Sequence, residues 1–326
     1  MSELVELISA PGFYPDVPEA RYHNDPVIEP SLSSSVGKEL VNRSPRHGWM
    51  KHPRLNKAKA LEVEKTDRKK DIGSAAHKLI LGKGRAIKVL NYDDYKKHDA
   101  QRAARAARDA DMVPILADDM RKVELIHEAF MDQILDPASK GYFEQPGQSE
   151  LTFVWREKNG VWCRGRMDRL PDECREAAFP ILADVKTTTT SAHFSDWEYA
   201  AYDLAFDFQS VFYPRGIRAL CPAIRDPNLT MKFAVIEQDE PFCLSVNEFP
   251  GLATHEAMED VELAVKMWGA CLKRGTDIKA WPGYGGQTNT MDKAPWRSNR
   301  SELRRLALQQ MMLEWQRPLE LEGKAA

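Results

Sequence analysis

The stretch LTFVWREKNGVWCRGRMDRL, residues 151–170, decides the fold together with ILADVK at residues 181–186. Leu151 to Arg156 alternates apolar and polar side chains, the period of a strand with one buried face. Asn159-Gly160 is the dipeptide that tight hairpin turns favour, because both residues tolerate positive φ. Val161 to Leu170 therefore returns as a second strand, and Ile181 to Lys186, entered from Pro180, makes a third.

Outward from this meander the texture is mostly helical. On the C-terminal side a helical stretch is expected from Trp197 to about Tyr213. A strand pair follows, Met231 to Glu237 and Phe242 to Val246, turning around Asp239-Glu240-Pro241. A helix from His255 to Arg274, a Trp281-Pro282-Gly283-Tyr284 loop and a Leu/Met-rich helix from Ser301 to Trp315 complete the chain. On the N-terminal side the first thirty residues are Pro-rich and irregular. Ser33, Ser34 and Ser35 offer N-caps to a helix over Val36 to Val41, which Ser44-Pro45 ends. A second helix, Ile72 to Leu81, stops at Gly82 and Gly84, and the block from Tyr92 to Leu135 reads as helical throughout. Helices, a meander, a helix and further strands predict an α/β or α+β sheet with helices on its faces.

The bulk properties narrow the function classes. A chain of 326 residues, 43% hydrophobic with mean hydropathy -0.51, can bury a sizeable core and remain soluble. Without a long apolar run or a signal-peptide pattern, the expectation is a cytoplasmic protein with no membrane partner. The five cysteines, Cys163, Cys174, Cys221, Cys243 and Cys271, contain no C-x-x-C pair, which argues against a zinc ribbon, an iron–sulfur cluster or a disulfide framework. Net charge is -3, so nothing global marks a nucleic-acid binder. Locally, the basic residues between Lys38 and Lys70 face only Glu39, Glu62, Glu64 and Asp67, an excess that suits either a phosphate backbone or a solvated face.

Chemistry concentrates in Gly165-Arg166-Met167-Asp168 and Asp184-Val185-Lys186. Residues at i and i+2 of a strand share a face, so Asp184 and Lys186 point the same way, and pairing of the two strands would bring Asp168 beside Asp184. Two carboxylates and an ammonium on one strand face are costly to bury unless they hold a hard divalent cation. Alone, D-x-K more often marks a surface ion pair on an edge strand. Glu150 precedes the first strand and could add a carboxylate, or be an ordinary loop residue. His77 has Gly73, Ser74, Ile80 and Leu81 as helical neighbours and should point inward, as a ligand or a core histidine. Gln209 and Tyr213, one turn apart, could hold a phosphate or belong to an ordinary amphipathic helix.

Taken together these residues resemble the PD-(D/E)XK nuclease superfamily, and within it the RecE-type exodeoxyribonucleases (exonuclease VIII) of prophages, relatives of the RecB nuclease domain. Gly73-x-x-x-His77, Gly165-Arg166-x-Asp168, Asp184-Val185-Lys186-Thr187-Thr188 and Gln209-x-x-x-Tyr213 resemble that family's motifs in order, with a weaker echo in Ser31 to Ser35 and Arg43 to His47. The resemblance implies a single restriction-endonuclease-like α/β domain, a central mixed sheet flanked by helices, with extra N-terminal and C-terminal helices. Residues 1–140 would be its mainly helical N-terminal part, 141–250 its catalytic sheet and helix, and 251–326 its C-terminal helical part. It further implies that His77, Asp168, Asp184 and the main-chain carbonyl of Val185 bind Mg2+, with Mn2+ as substitute. Asp168, Asp184, Lys186 and Glu150 would form the catalytic set, with Lys186 placing the attacking water. Gln209, Tyr213, Arg166, Thr187 and Thr188 would contact double-stranded DNA. The implied activity is 5′ to 3′ exonuclease digestion in phage-type recombination, in a ring-shaped homo-oligomer working with a single-strand annealing protein. An endonuclease or RecB-like subunit, or an inactive DNA-binding module, are the alternatives.

Overall fold

The computed structural model describes residues 6–60, 67–134, 143–144, 146–172, 181–224, 229–284 and 288. The chain divides into Met1–Gly283 and Tyr284–Ala326, and every element below belongs to the first unit. The helix expected from Ser301 to Trp315 lies outside the described residues. In chain order the N-terminal part runs β1 (Gly12–Tyr14), α1 (Glu19–His23), β2 (Leu32–Ser33), α2 (Ser34–Asn42), α3 (Pro45–Lys51), α4 (Lys57–Ala60) and α5 (Arg68–Leu81). Next come β3 (Ala86–Leu90), α6 (His98–Asp109), β4 (Met112–Leu116) and α7 (Ala117–Gln133). The meander is β5 (Gly147–Arg156), β6 (Trp162–Pro171) and β7 (Ile181–Thr188). After it come α8 (Phe194–Asp203), α9 (Phe206–Leu220), β8 (Thr230–Glu237), β9 (Leu244–Glu248) and α10 (Gly251–Arg274).

The β5–β6 hairpin forms where its sequence predicts, though of the Asn159-Gly160 pair only Gly160 takes positive φ. Gly160 takes φ 88, its N–H donates to the Glu157 carbonyl at 2.8 Å, and Glu157 N–H closes the turn on Val161 O at 2.8 Å. The register pairs Phe153 with Gly165 and Thr152 with Arg166. One face of the hairpin, Leu151, Phe153, Trp155, Cys163 and Met167, is buried in the main core. Gly165 has to be glycine, because the Phe153 ring lies across it and a Cβ there would sit 2.2 Å from that ring. Helix α9 closes on the same face through Gly216, where a Cβ would meet Phe153 and Trp155 at 2.7 Å.

The architecture is mixed α/β, with a central mixed sheet flanked by helices. β1, β5 and β6 are antiparallel neighbours and β2 joins β6 in parallel, while β7 pairs β8 in parallel and β9 adds an antiparallel edge. β2 covers β6 at Cys163 and Arg164, and farther along β6 the strand β7 comes alongside. No ladder joins β6 to β7 among the described residues; the seam is bridged by Val185 N–H, which donates to Asp168 Oδ2 at 2.6 Å. Helices α5 and α7 pack on the Val185 side of β7–β8, and α8 and α9 on the Asp184 side. Among the described residues no helix is long and apolar enough to cross a membrane, and Cys163, Cys221, Cys243 and Cys271 are free thiols.

Four local expectations change. Ser44-Pro45 ends one helix and also starts α3, where Ser44 Oγ accepts from His47 N–H and Pro45 occupies the first turn, whose N–H would have no helical partner. The block from Tyr92 to Leu135 is not helical throughout: Met112 to Leu116 is a strand, paired in parallel with β3. Its run of five residues is too short to disturb the periodicity of the Ala- and Arg-rich helices on either side, yet four of the five are buried. The stretch from Trp197 to Tyr213 is two helices, broken at Ala205 with φ 51. Finally, α9 runs through Pro214, and burial of Tyr213, Gly216 and Ile217 offsets a proline cost of roughly 3 kcal/mol.

Candidate active site

The site forms where α5, the β5–β6 hairpin, β7 and α9 meet. Asp67 caps α5 by accepting from Lys69 and Lys70 N–H, and Gly82, in the left-handed conformation, ends it. Gly73 lies against β7, where a Cβ would stand 2.6 Å from Thr187 Oγ1. That close approach puts His77, one turn later, over the β6–β7 seam. Its Nε2 is 3.0 Å from Asp168 Oδ2 and its Nδ1 3.3 Å from Glu150 Oε1. Burial disfavours the imidazolium, but the charges of Asp168 and Glu150 outweigh it and push His77 up to about 10.

Asp184, only 1% exposed, forms an ion pair with Lys186 and accepts from Gln209 Nε2 at 3.0 Å. Burial, reinforced by the neighbouring Asp168 charge, raises its carboxyl to about 6. Asp168 moves the other way. Burial opposes its charge too, but His77, Lys186 and the Val185 N–H together lower it. Lys186 is likewise held charged against burial by Asp184 and Asp168, with its ammonium 4.9 Å from the Phe206 ring centroid. The two carboxylates are thus pushed apart in acidity while each keeps a cationic partner.

Glu150 lies inside β5, in the step of the hairpin register between the Ser149–Arg169 and Leu151–Met167 pairs, and is a left-handed non-glycine residue with φ 52. Backbone of this kind costs about 1–3 kcal/mol and persists only where the surroundings dictate it. Here Arg166 Nε holds Glu150 Oε2 at 2.8 Å and His77 holds the other oxygen. Tyr213 is buried at the cleft wall, its pKa raised well above the usual phenol value by burial and then by the Tyr22 hydroxyl beside it. Thr187 and Thr188 line the same cleft, of about 920 Å3. All eleven residues singled out from the sequence therefore gather around one seam.

Other residues of the cleft left no sequence signal. Gln238, 4% exposed, donates to Thr187 Oγ1 at 3.0 Å and to Lys69 O at 3.1 Å, tying α5 to β7. Lys78, Lys83 and Arg85 add positive charge to the wall, and among the described residues of the basic run before Asp71 only Lys69 and Lys70 reach it. Lys83 and Arg85 sit between α5 and β3, where the fold alone places them and no periodicity reveals them.

The donor set fits a hard divalent cation: carboxylates from Glu150, Asp168 and Asp184, an imidazole, and a main-chain carbonyl. In extended backbone a residue's N–H and C=O point to the same side, so the Val185 carbonyl faces the seam as its N–H does. Among the described residues no three His, Cys, Asp or Glu side chains converge on one point, because His77 stands between Glu150 and Asp168 while Asp184 turns to Lys186.

Residues 51–294 match the family model described as a PDDEXK-like domain of unknown function, DUF3799. The chain belongs to this PDDEXK-like family. No curated protein matches it. A crystal structure of a protein from Eubacterium rectale, described as a candidate exonuclease, superposes with TM-score 0.48 at 11% identity, over 86% of this chain and 94% of that one. The PDDEXK-like assignment gives the strand-borne Asp168, Asp184 and Lys186 a family context that the short D-x-K pattern lacked.

Proposed function

We propose that this PDDEXK-like domain is a Mg2+-dependent deoxyribonuclease, with Mn2+ as a substitute, acting on double-stranded DNA as a 5′ to 3′ exonuclease in phage-type recombination. The observation that carries the hydrolytic reading is Asp184, buried beneath the lining of the cleft, held by Gln209 and ion-paired to Lys186, which lines that cleft with Asp168 among further lysines and arginines. A pure binding surface has no use for buried carboxylates facing a polyanion. The exonuclease mode, its polarity and the recombination setting rest on the likeness of the four motifs to RecE-type enzymes, as do ring assembly and an annealing-protein partner.

A divalent cation held by Asp168, Asp184, Glu150, His77 and the Val185 carbonyl would polarise the scissile phosphate and acidify a water. Lys186 orients that water and offsets the charge that gathers on the phosphoryl oxygens. The water oxygen forms a new P–O bond, the ester P–O bond breaks, and the departing sugar oxygen takes up a proton. Gln209 fixes the rotation of Asp184, and Thr187 and Thr188 offer hydroxyls to phosphate oxygens. Arg166 and Tyr213 flank the same strand.

Incubation with linear and covalently closed duplex DNA, in Mg2+ and in EDTA, tests the proposal. Loss of linear DNA alone, and only with Mg2+, is the expected result. Nicking of closed circles would replace the exonuclease by an endonuclease, and no cleavage by folded, Mg2+-bound protein would replace the enzyme by a binding module.

A further inference from the structure

Lys186 rests on aromatic rings as well as on a carboxylate. Its ammonium lies 4.9 Å from the Phe206 centroid and 5.9 Å from that of Phe233, while Asp184 engages the same nitrogen. Phe206 is itself held, stacked on Trp197 at 5.9 Å and 17° and on Phe233 at 5.7 Å and 27°. A ring face attracts a cation through its quadrupole, and it offers no oxygen that a metal or a phosphate donor could take over. The ion pair has no such independence. Asp184 belongs to the donor set for a divalent cation, and a carboxylate engaged there is no longer reserved for Lys186. A lysine head released from its partner regains the many rotamers of a four-carbon stem. Phe206 is the contact that persists.

The ring depends in turn on α2. Phe206 opens α9 directly after Ala205, whose φ of 51 is left-handed backbone that alanine adopts only where its surroundings dictate it. Lys38 of α2 supplies part of those surroundings. Its Nζ donates to the Leu204 carbonyl, at the end of α8, at 2.5 Å and lies 6.0 Å from the same Phe206 centroid. A cation at a helix C-terminus satisfies a carbonyl that the helix leaves over and complements its dipole. Beside it, Gly37 lets α2 close on α9, for a Cβ there would stand 2.6 Å from the Phe208 ring. Lys38 keeps this position at a cost: burial first, then the charges of Lys51 and Lys186, pull its ammonium below the ordinary lysine value, against Glu39 and Asp207. The Leu204 carbonyl and the ring offset that cost. Three residues after Phe206, Gln209 holds Asp184, so the α8–α9 elbow sets both partners of Lys186.

We propose that Phe206 and Lys38 are positioning residues for Lys186: the ring holds the ammonium where the attacking water needs it, and Lys38 holds the elbow that carries the ring. The effect on cleavage rests on the deoxyribonuclease reading above; the placement of the ammonium does not. Phenylalanine carrying one, two or three ring fluorines, incorporated at position 206, nearly keeps the shape of the ring and drains its quadrupole stepwise. On end-labelled duplex in Mg2+, kcat should fall with each fluorine, to about tenfold or more below wild type, with KM nearly unchanged. Lys38→Met should lower kcat severalfold well below its thermal midpoint, and Lys38→Arg should restore it; a lysine that only capped α8 would cost stability and leave kcat alone. A flat fluorine series, a rise in KM alone, or wild-type kcat in Lys38→Met overturns the proposal. The placement is read without DNA or metal by NMR. The ε-methylene protons of Lys186, identified by their loss in Lys186→Arg, should resonate upfield over the Phe206 ring and move downfield in Phe206→Leu and in Lys38→Met. If those shifts appear and no DNA is cleaved, the nuclease reading fails and the positioning stands. If DNA is cleaved while the protons stay unmoved in both variants, the positioning fails and the nuclease reading stands.

Discussion

Replacing Gly73 by alanine separates placement of the site from stability of the fold. The added Cβ would stand 2.6 Å from Thr187 Oγ1 and 3.0 Å from Gln238 Nε2. Thr187 cannot simply swing away without releasing its bond from Gln238, so relief comes mainly from α5 lifting off β7 by about 1 Å, toward ordinary contact distance. His77 is one turn further along and moves with the helix, away from Asp168 and Glu150. A displacement of about 1 Å at a reacting centre costs on the order of a hundredfold in rate. The stability change is much smaller: overpacking at about 1–3 kcal/mol is offset by about 1 kcal/mol of helix propensity gained on removing a glycine. Gly73→Ala should therefore lose about a hundredfold in kcat/KM on end-labelled duplex while its thermal midpoint falls by only a few degrees. Activity within threefold of wild type, with the midpoint unchanged, would refute the close-approach argument.

Lys186→Ala should lower kcat by about a hundredfold to a thousandfold, the range for removing one preorganised charge donor, with duplex affinity in Ca2+ nearly unchanged; near-normal cleavage would sink the assignment. Asp184→Asn should abolish the rise in thermal midpoint that Mg2+ gives the wild-type chain, because a ligand that binds only the folded state stabilises it. Asp25 gives a pH prediction away from the site. Although burial opposes its charge, Arg164, His52 and Ser31 hold its carboxyl down at about 2, against an ordinary value of 3.8. A depressed folded value means that this stabilisation, about 2 kcal/mol, is complete above about pH 4 and is lost as pH falls from 3.8 toward 2. Urea unfolding should show that loss in the wild type and its absence in Asp25→Asn, which should be less stable at neutral pH by about 3 kcal/mol or more.

Much of the site was legible because its residues are tied to local periods. Asn159-Gly160 announces the hairpin, Gly82 the end of α5, and the i, i+2 spacing of Asp184 and Lys186 a shared strand face. Gly73-x-x-x-His77 is legible for the same reason, since one helical turn carries the close approach into the position of the imidazole. What stayed hidden depends on contacts distant in sequence. The strand Met112–Leu116 is fixed by its parallel pairing with Ala86–Leu90. Tyr213 remains helical before a proline because its neighbours are buried, which local propensity cannot register. Glu150 is read from sequence as a residue before a strand; the strand in fact begins at Gly147, and the φ of 52 that turns Glu150 appears only once Arg166 and His77 have been placed.

The seam between β6 and β7 has a use beyond the chemistry. Because the Val185 amide is held by the Asp168 carboxylate and, among the described residues, by no strand ladder on that side, its proton exchanges with solvent only when that carboxylate lets go. Any ligand that draws Asp168 away, or locks it in place, will register in a single amide in the middle of the protein. The molecule thereby carries its own gauge of site occupancy, readable without substrate, label or turnover.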